Sequence, residues 1–130
     1  MLSYIDTKDF QMKIMVVDDE ELNRDLFSDI FSDEENVEEV LCCPSGVEAL
    51  DQVSEFQPDV IILDIMMPHL NGFEFCKTLR SKKEIKQPRV IMVTGMSGDD
   101  VMDKGMASGA DKLFFKPLNV NILRNEVLNS

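Results

Sequence analysis

An unbroken apolar run, Val60-Ile61-Ile62-Leu63, that ends in the carboxylate of Asp64 constrains this chain more than any other stretch. Four aliphatic residues with no polar alternation describe a strand covered on both faces, as in the middle of a parallel sheet. Pro58-Asp59 precedes the run, and Ile65-Met66-Met67-Pro68 with Asn71-Gly72 follows it. An unpartnered carboxylate at such a strand end costs several kcal/mol or titrates well above its usual value of about 4. Either a cation meets Asp64, or the strand ends at a crevice where the group does chemistry.

The rest of the chain supplies the sheet that this strand needs. Lys13-Ile14-Met15-Val16-Val17 is a first apolar run, followed at once by Asp18-Asp19-Glu20. Leu22, Leu26, Phe27, Ile30 and Phe31 recur at helical spacing, which predicts an amphipathic helix from Glu20 to about Asp33. Val40 to Cys43 reads as a weaker strand, and Ser45-Gly46 opens a helix facing inward through Ala49, Leu50, Val53 and Phe56. Asn71 is suited to cap a third helix carrying Phe75, Cys76 and Leu79, and Lys82 to Lys86 reads as a solvated tail. Val90 to Val93 is a further buried strand ending in Thr94-Gly95. Ser97 to Ser108 is a weak helix, because Gly98 and Gly105 interrupt it at about 1 kcal/mol each. Leu113-Phe114-Phe115 is the last strand, ending at Lys116-Pro117, and Asn119 caps a helix with Val120, Leu123 and Val127 as its stripe.

Five strands alternating with five helices predict an α/β fold, a doubly wound parallel sheet with helices on both faces. No linker divides the 130 residues, so residues 1–12 are expected to be a lead-in and 13–130 one domain. The net charge of −12, from 25 acidic and 13 basic residues, argues against binding to nucleic-acid phosphates. No apolar stretch approaches the roughly 20 residues of a membrane span, and Met1 to Gln11 does not read as a secretory signal. Cys42, Cys43 and Cys76 have no metal-ligand spacing, and the first two point to opposite faces of a strand. Reduced, mostly buried thiols in a cytoplasmic protein are the expectation.

Four strands end in polar groups: Asp18 and Asp19, Asp64, Thr94 and Lys116. In an open parallel sheet these ends lie along one edge, where ligands bind. Three clustered carboxylates repel one another, and Lys116 alone does not balance them. A hard divalent cation, Mg²⁺ or Mn²⁺, would complete the balance through oxygen ligands. An acid so flanked suits phosphoryl transfer, with Thr94 donating its hydroxyl to a phosphoryl oxygen.

From Lys13 onward the chain resembles a response-regulator receiver domain of two-component signalling, chemotaxis-receiver-like. The resemblance rests on Val17-Asp18-Asp19, Leu63-Asp64-Ile65-Met66-Met67-Pro68 with Gly72, Thr94, Gly109-Ala110-Asp111 and Lys116-Pro117. It implies a flavodoxin-like strand order 2-1-3-4-5 and Asp64 as phosphoacceptor. It also implies metal binding by Asp18, Asp19, Asp64 and the Met66 carbonyl, contacts from Thr94 and Lys116 to the phosphoryl group, and a cis Lys116-Pro117 bond. The donor would be a phosphohistidine on a histidine kinase or histidine phosphotransfer protein. The chain would then catalyse only its own phosphorylation and dephosphorylation. The face of the fourth and fifth helices and last strand would signal to an output domain, a target or a second receiver copy, with no part for nucleic acid or membrane.

The resemblance also implies an aromatic three positions before the lysine, where this chain has Leu113. Thr94 and Leu113 are therefore the expected switch pair, with Leu113 expected simply to pack. Met66 and Met96, two positions beyond Asp64 and Thr94, are expected to shield the site from hydrolytic water. The lone histidine, His69, reads as a loop-surface residue. A haloacid-dehalogenase-type phosphatase would carry its nucleophile after the first strand in an Asp-x-Asp motif, and a flavodoxin-type crevice would not be lined with acids. The stronger alternative is a receiver-like interaction module that works without phosphorylation.

Overall fold

The computed structural model describes residues 11–130, so the expected lead-in lies, up to residue 10, outside the described residues. The elements run β1 (Met12–Val17), α1 (Glu21–Ser32), β2 (Val37–Cys43), α2 (Gly46–Phe56), β3 (Val60–Asp64), α3 (Gly72–Ser81), β4 (Arg89–Thr94), α4 (Val101–Ser108), β5 (Lys112–Phe115) and α5 (Val120–Leu128). All four ladders are parallel, and the order is β2-β1-β3-β4-β5. The fold is the expected doubly wound, flavodoxin-like sheet.

Strand alternation sorts the core into two layers. Ile14, Val16, Val60, Ile62, Ile91 and Val93 pack under Phe27 and Phe31 of α1 and Leu123 and Val127 of α5. Met15, Val17, Ile61, Leu63, Val90 and Met92 face the other way, under α2, α3 and α4. Every residue of β3 is buried, which is why its sequence shows no polar alternation. Cys43 joins one layer and Cys42 packs against the other, as their adjacency required. The outer strands are protected differently: β2 exposes Glu38 and Glu39, and β5 is only four residues long.

The helix caps are local and sequence-encoded. Ser45 Oγ accepts from the Glu48 amide, Asn119 Oδ1 from the Ile122 amide, and Asn71 and Glu74 form a reciprocal capping box. α4 has no side-chain cap and begins only at Val101, not at Ser97. Gly98, at φ +135°, is spent in the turn before it. Gly105 is buried for a packing reason: a Cβ there would stand 2.8 Å from Leu113 Cδ1 and 3.3 Å from Met92 Sδ.

Three further expectations need correction. Leu22 and Leu26 are exposed (81% and 45%), since α1 turns only Phe27 and Phe31 fully onto the sheet. Val120 is likewise exposed, leaving Leu123 and Val127 as the buried stripe of α5. The stretch Lys82 to Lys86 is not merely solvated, because Lys86 pairs with Asp59 at the start of β3. Beside it, the Gln87 amide donates to the Leu79 and Lys82 carbonyls and closes the end of α3.

Ile62, 1% exposed at the centre of the α1/α5 layer, tests this packing. Ile62→Ala should lower the unfolding free energy by about 2–5 kcal/mol in urea titrations. A loss under about 1 kcal/mol would mean that the layer is not close-packed.

Candidate functional site

The site lies where the chain reverses direction across the sheet, between β1 and β3, the place at which parallel α/β sheets bind ligands. Asp18 follows β1, Asp64 ends β3, Thr94 ends β4 and Lys116 follows β5. Asp18, Asp64 and Thr94 are buried, Lys116 is half-buried and Asp19 is exposed. The Asp18 amide donates to the Cys43 carbonyl (3.1 Å), tying the end of β1 to β2. Its side chain accepts from the Glu20 amide at 2.9 Å. The Met66 amide donates to Asp64 Oδ1 at 3.1 Å, and the Met96 amide donates to Thr94 Oγ1 at 3.0 Å. The Lys116 amide donates to the Thr94 carbonyl (2.8 Å), and the Lys116-Pro117 bond is cis, as expected.

Gly72 holds the loop after β3 against the strand end. A Cβ there would stand 2.7 Å from the Asp64 carbonyl oxygen and 2.7 Å from Ile65 Cα, so no side chain fits. The Gly72 amide also donates to the Ile65 carbonyl at 2.9 Å. Met66 and Met67 are thereby held directly beyond Asp64.

The electrostatics are those of an under-compensated acid cluster. Burial pushes the Asp64 carboxyl up, and the Asp18 charge adds to it; the Met66 amide and Lys116 offset this in part, and the net value is about 6. Asp18 is also raised, first by burial, with the Glu20 amide, Lys116 and Asn23 opposing and Asp19 adding. Lys116 therefore acts on both buried acids but does not neutralise them. Asp18, Asp19 and Glu20 bring carboxylate oxygens within 4.8 Å of one another. An all-oxygen donor set of this charge fits a hard divalent cation. Asp64 lies outside that closest trio, although it feels the charges of Asp18 and Asp19.

The family described as the response regulator receiver domain matches residues 14–128. The chain belongs to this family. Among the receiver's relatives, the polar-differentiation response regulator DivK of Brucella ovis is 37% identical over 109 residues, covering 82% of this chain and 85% of DivK. The protein-glutamate methylesterase/protein-glutamine glutaminase 1 of Methanospirillum hungatei is 33% identical over 116 residues, which are 87% of this chain but 33% of that protein. The receiver thus spans about a third of that relative's length. The structure of Vibrio cholerae chemotaxis protein CheY4 superposes with a TM-score of 0.82 at 31% identity, covering 92% of this chain and 98% of CheY4. The response regulator domain of Thermotoga maritima CheB gives 0.78 at 30%, covering 92% of each chain.

Receiver domains are non-catalytic signalling modules of two-component systems. In this one the expected site residues converge at one edge of the sheet. Leu113 is buried, packed against the backbone of Gly105, as expected of a residue that simply packs. His69 is exposed in the loop after β3, with φ at 68°. Sequence reasoning missed three residues around Asp18. Glu20 joins the acid trio, Asn23 holds the Asp18 carboxyl down against its burial, and Arg24 Nη1 donates to the Asp18 carbonyl at 2.9 Å. Their signal was their place in the first turns of α1, directly after Asp18-Asp19.

The raised Asp64 value has a consequence for stability. Between 3.8, where the unfolded chain releases this proton, and about 6, where the folded chain does, the fold binds the extra proton. Stability from this group is therefore present at low pH and lost as pH rises through the folded value. In metal-free buffer near neutral pH, Asp64→Asn should unfold in urea with a stability about 2 kcal/mol above the native chain. That gap should close as the pH is lowered toward about 4.

Proposed function

We propose that this receiver is a phosphorylation switch in which Asp64 accepts a phosphoryl group from a phosphohistidine on a histidine kinase or histidine phosphotransfer protein. The observation that carries this is the burial of Asp64 beside Asp18, with Lys116 as the cation acting on both. An Asp64 oxygen attacks phosphorus, the phosphorus–nitrogen bond breaks, and the imidazole leaves with its electron pair. Lys116 and the Thr94 hydroxyl take up phosphoryl oxygens. The Met96 amide already occupies an acceptor site on Thr94 Oγ1, which leaves the hydroxyl proton to be donated outward.

Asp18 and Asp19, with Asp64 and the Met66 carbonyl, would hold Mg²⁺ or Mn²⁺, and Glu20 adds a carboxylate to this set. When bound, the cation neutralises charge on the transferred phosphoryl group. This chemistry acts only on the chain itself and makes no turnover enzyme.

On this reading residues 13–130 are the receiver domain, working in the cytoplasm. The face of α4, β5 and α5 carries the signal to an output domain, a target or a second receiver copy. Exposed Met102 and Met106 of α4, Phe115 of β5 and Ile122 of α5 support that assignment. Burial of Leu113 favours a second reading, an interaction module that never uses phosphorylation, because a leucine locked under α4 has no inward rotation left to make.

Acetyl phosphate with Mg²⁺ separates the two. The switch predicts an acid-stable, base-labile adduct of one phosphoryl group, absent from Asp64→Asn and dependent on the metal. No adduct, with a phosphohistidine donor also failing, would leave the interaction module. Met66 and Met96 flank the site with apolar side chains. The phosphorylated Met66→Asn/Met96→Glu variant should therefore lose its phosphoryl group severalfold faster than the native chain in a radiolabel decay assay. An equal rate would remove their shielding role.

A further inference from the structure

Next to the acid site, an open groove runs from the loops after β3 and β4 to the space between α3 and α4. It consists of two cavities, of about 360 Å³ and 230 Å³, that share the ring of Phe73 as a common wall. Met66, Met67 and Met96 line the first, while Lys77, Lys104 and Ala107 line the second. Phe73 of α3 lies in both linings, and its Cε1 stands 3.9 Å from where a Cβ would sit on Gly105 of α4, so the ring lies against that helix. Met66 is 59% exposed at its mouth, an unusual position for a large thioether in a chain with a charge of −12.

We infer that this groove is a docking site for an acidic amphipathic helix of a partner protein. The two linked cavities fit successive apolar anchors on one helix face, the helix-in-groove mode of recognition. Methionine lining suits such a role, because unbranched thioethers repack around different anchors. Charge complementarity selects the sign of the partner. Both charged residues lining the second cavity are lysines, on a chain that is otherwise strongly acidic. Lys77 makes no ion pair among the described residues. Among the described residues Lys104 pairs only with Asp100, the residue just before α4, and both are well exposed, so exchange for a partner carboxylate costs little.

The groove is also tied mechanically to the acid site. The amides of Met66 and Met96, whose side chains form its walls, are the groups that donate to Asp64 Oδ1 and Thr94 Oγ1. A helix seated there presses on the two residues that position Asp64 and Thr94. The docking itself stands whether or not Asp64 is phosphorylated.

The test is a displayed library of amphipathic helical peptides, with apolar positions fixed at i, i+3, i+4 and i+7 and all other positions randomised, selected on the full chain. Selected peptides should be enriched in Asp and Glu. They should bind Phe73→Arg at least tenfold more weakly and Lys77→Glu/Lys104→Glu at least tenfold more weakly. The charge-reversed pair lies on the surface and keeps the fold, which thermal unfolding verifies. Amide shifts on binding should centre on Met66, Phe73, Lys77 and Met96. Peptides without acidic enrichment, peptides that bind both variants undiminished, or failure to select any binder would overturn the inference. So would a concentration-dependent dimer of the native chain that Phe73→Arg abolishes, since the occupant would then be a second copy.

Discussion

Asp64 ends a strand every residue of which is buried, and it faces a second buried acid, Asp18, with Lys116 as the cation that reaches both. The rest of the molecule follows from holding that carboxylate in place. Parallel pairing of β3 between β1 and β4 brings Asp18 and Thr94 to the same edge. The Gly72 backbone seats against the Asp64 carbonyl and keeps the following loop over the strand end. Removing the charge relieves the fold, and supplying a cation or esterifying the acid does so chemically.

The proposed switch would pass its signal out of the site through backbone amides as well as through side chains. Met66 and Met96 hold the Asp64 and Thr94 side chains by their main-chain N–H groups, and both line the groove against Phe73. Leu113, by contrast, fills the space that Gly105 leaves empty and fastens α4 to β5. Motion of α4 therefore requires the Leu113–Gly105 contact to open. The helix is suited to such motion, being eight residues long and without a side-chain cap.

Much of this was legible before any coordinates. Both-face burial writes itself as unbroken aliphatic runs, so β1, β3 and β4 and the polar groups after them could be read directly. Caps at Asn71 and Asn119 were equally plain, because a side-chain acceptor needs only the next turn. What escaped the sequence depended on how far each helix rolls onto the sheet. Helical spacing placed Leu22, Leu26 and Val120 on apolar stripes, but Phe27, Phe31, Leu123 and Val127 are the residues buried in the layer beneath, with Ile30 and Leu128 partly buried against it. The late start of α4 arose from the φ of Gly98, which composition does not show. Glu20, Asn23 and Arg24 gather around Asp18 through the turn from β1 into α1, and the groove at Phe73 exists only once α3 and α4 lie side by side.

The account stands or falls on the state of Asp64, and a carbon-13 NMR titration of its side-chain carboxyl reads that state directly. In metal-free buffer the midpoint should lie near 6, raised by burial and by Asp18. Saturating Mg²⁺ should bring it down below the ordinary carboxylate value of about 4. A midpoint at the ordinary value without metal, unmoved when Mg²⁺ is added, would contradict both the unbalanced cluster and the cation that completes it.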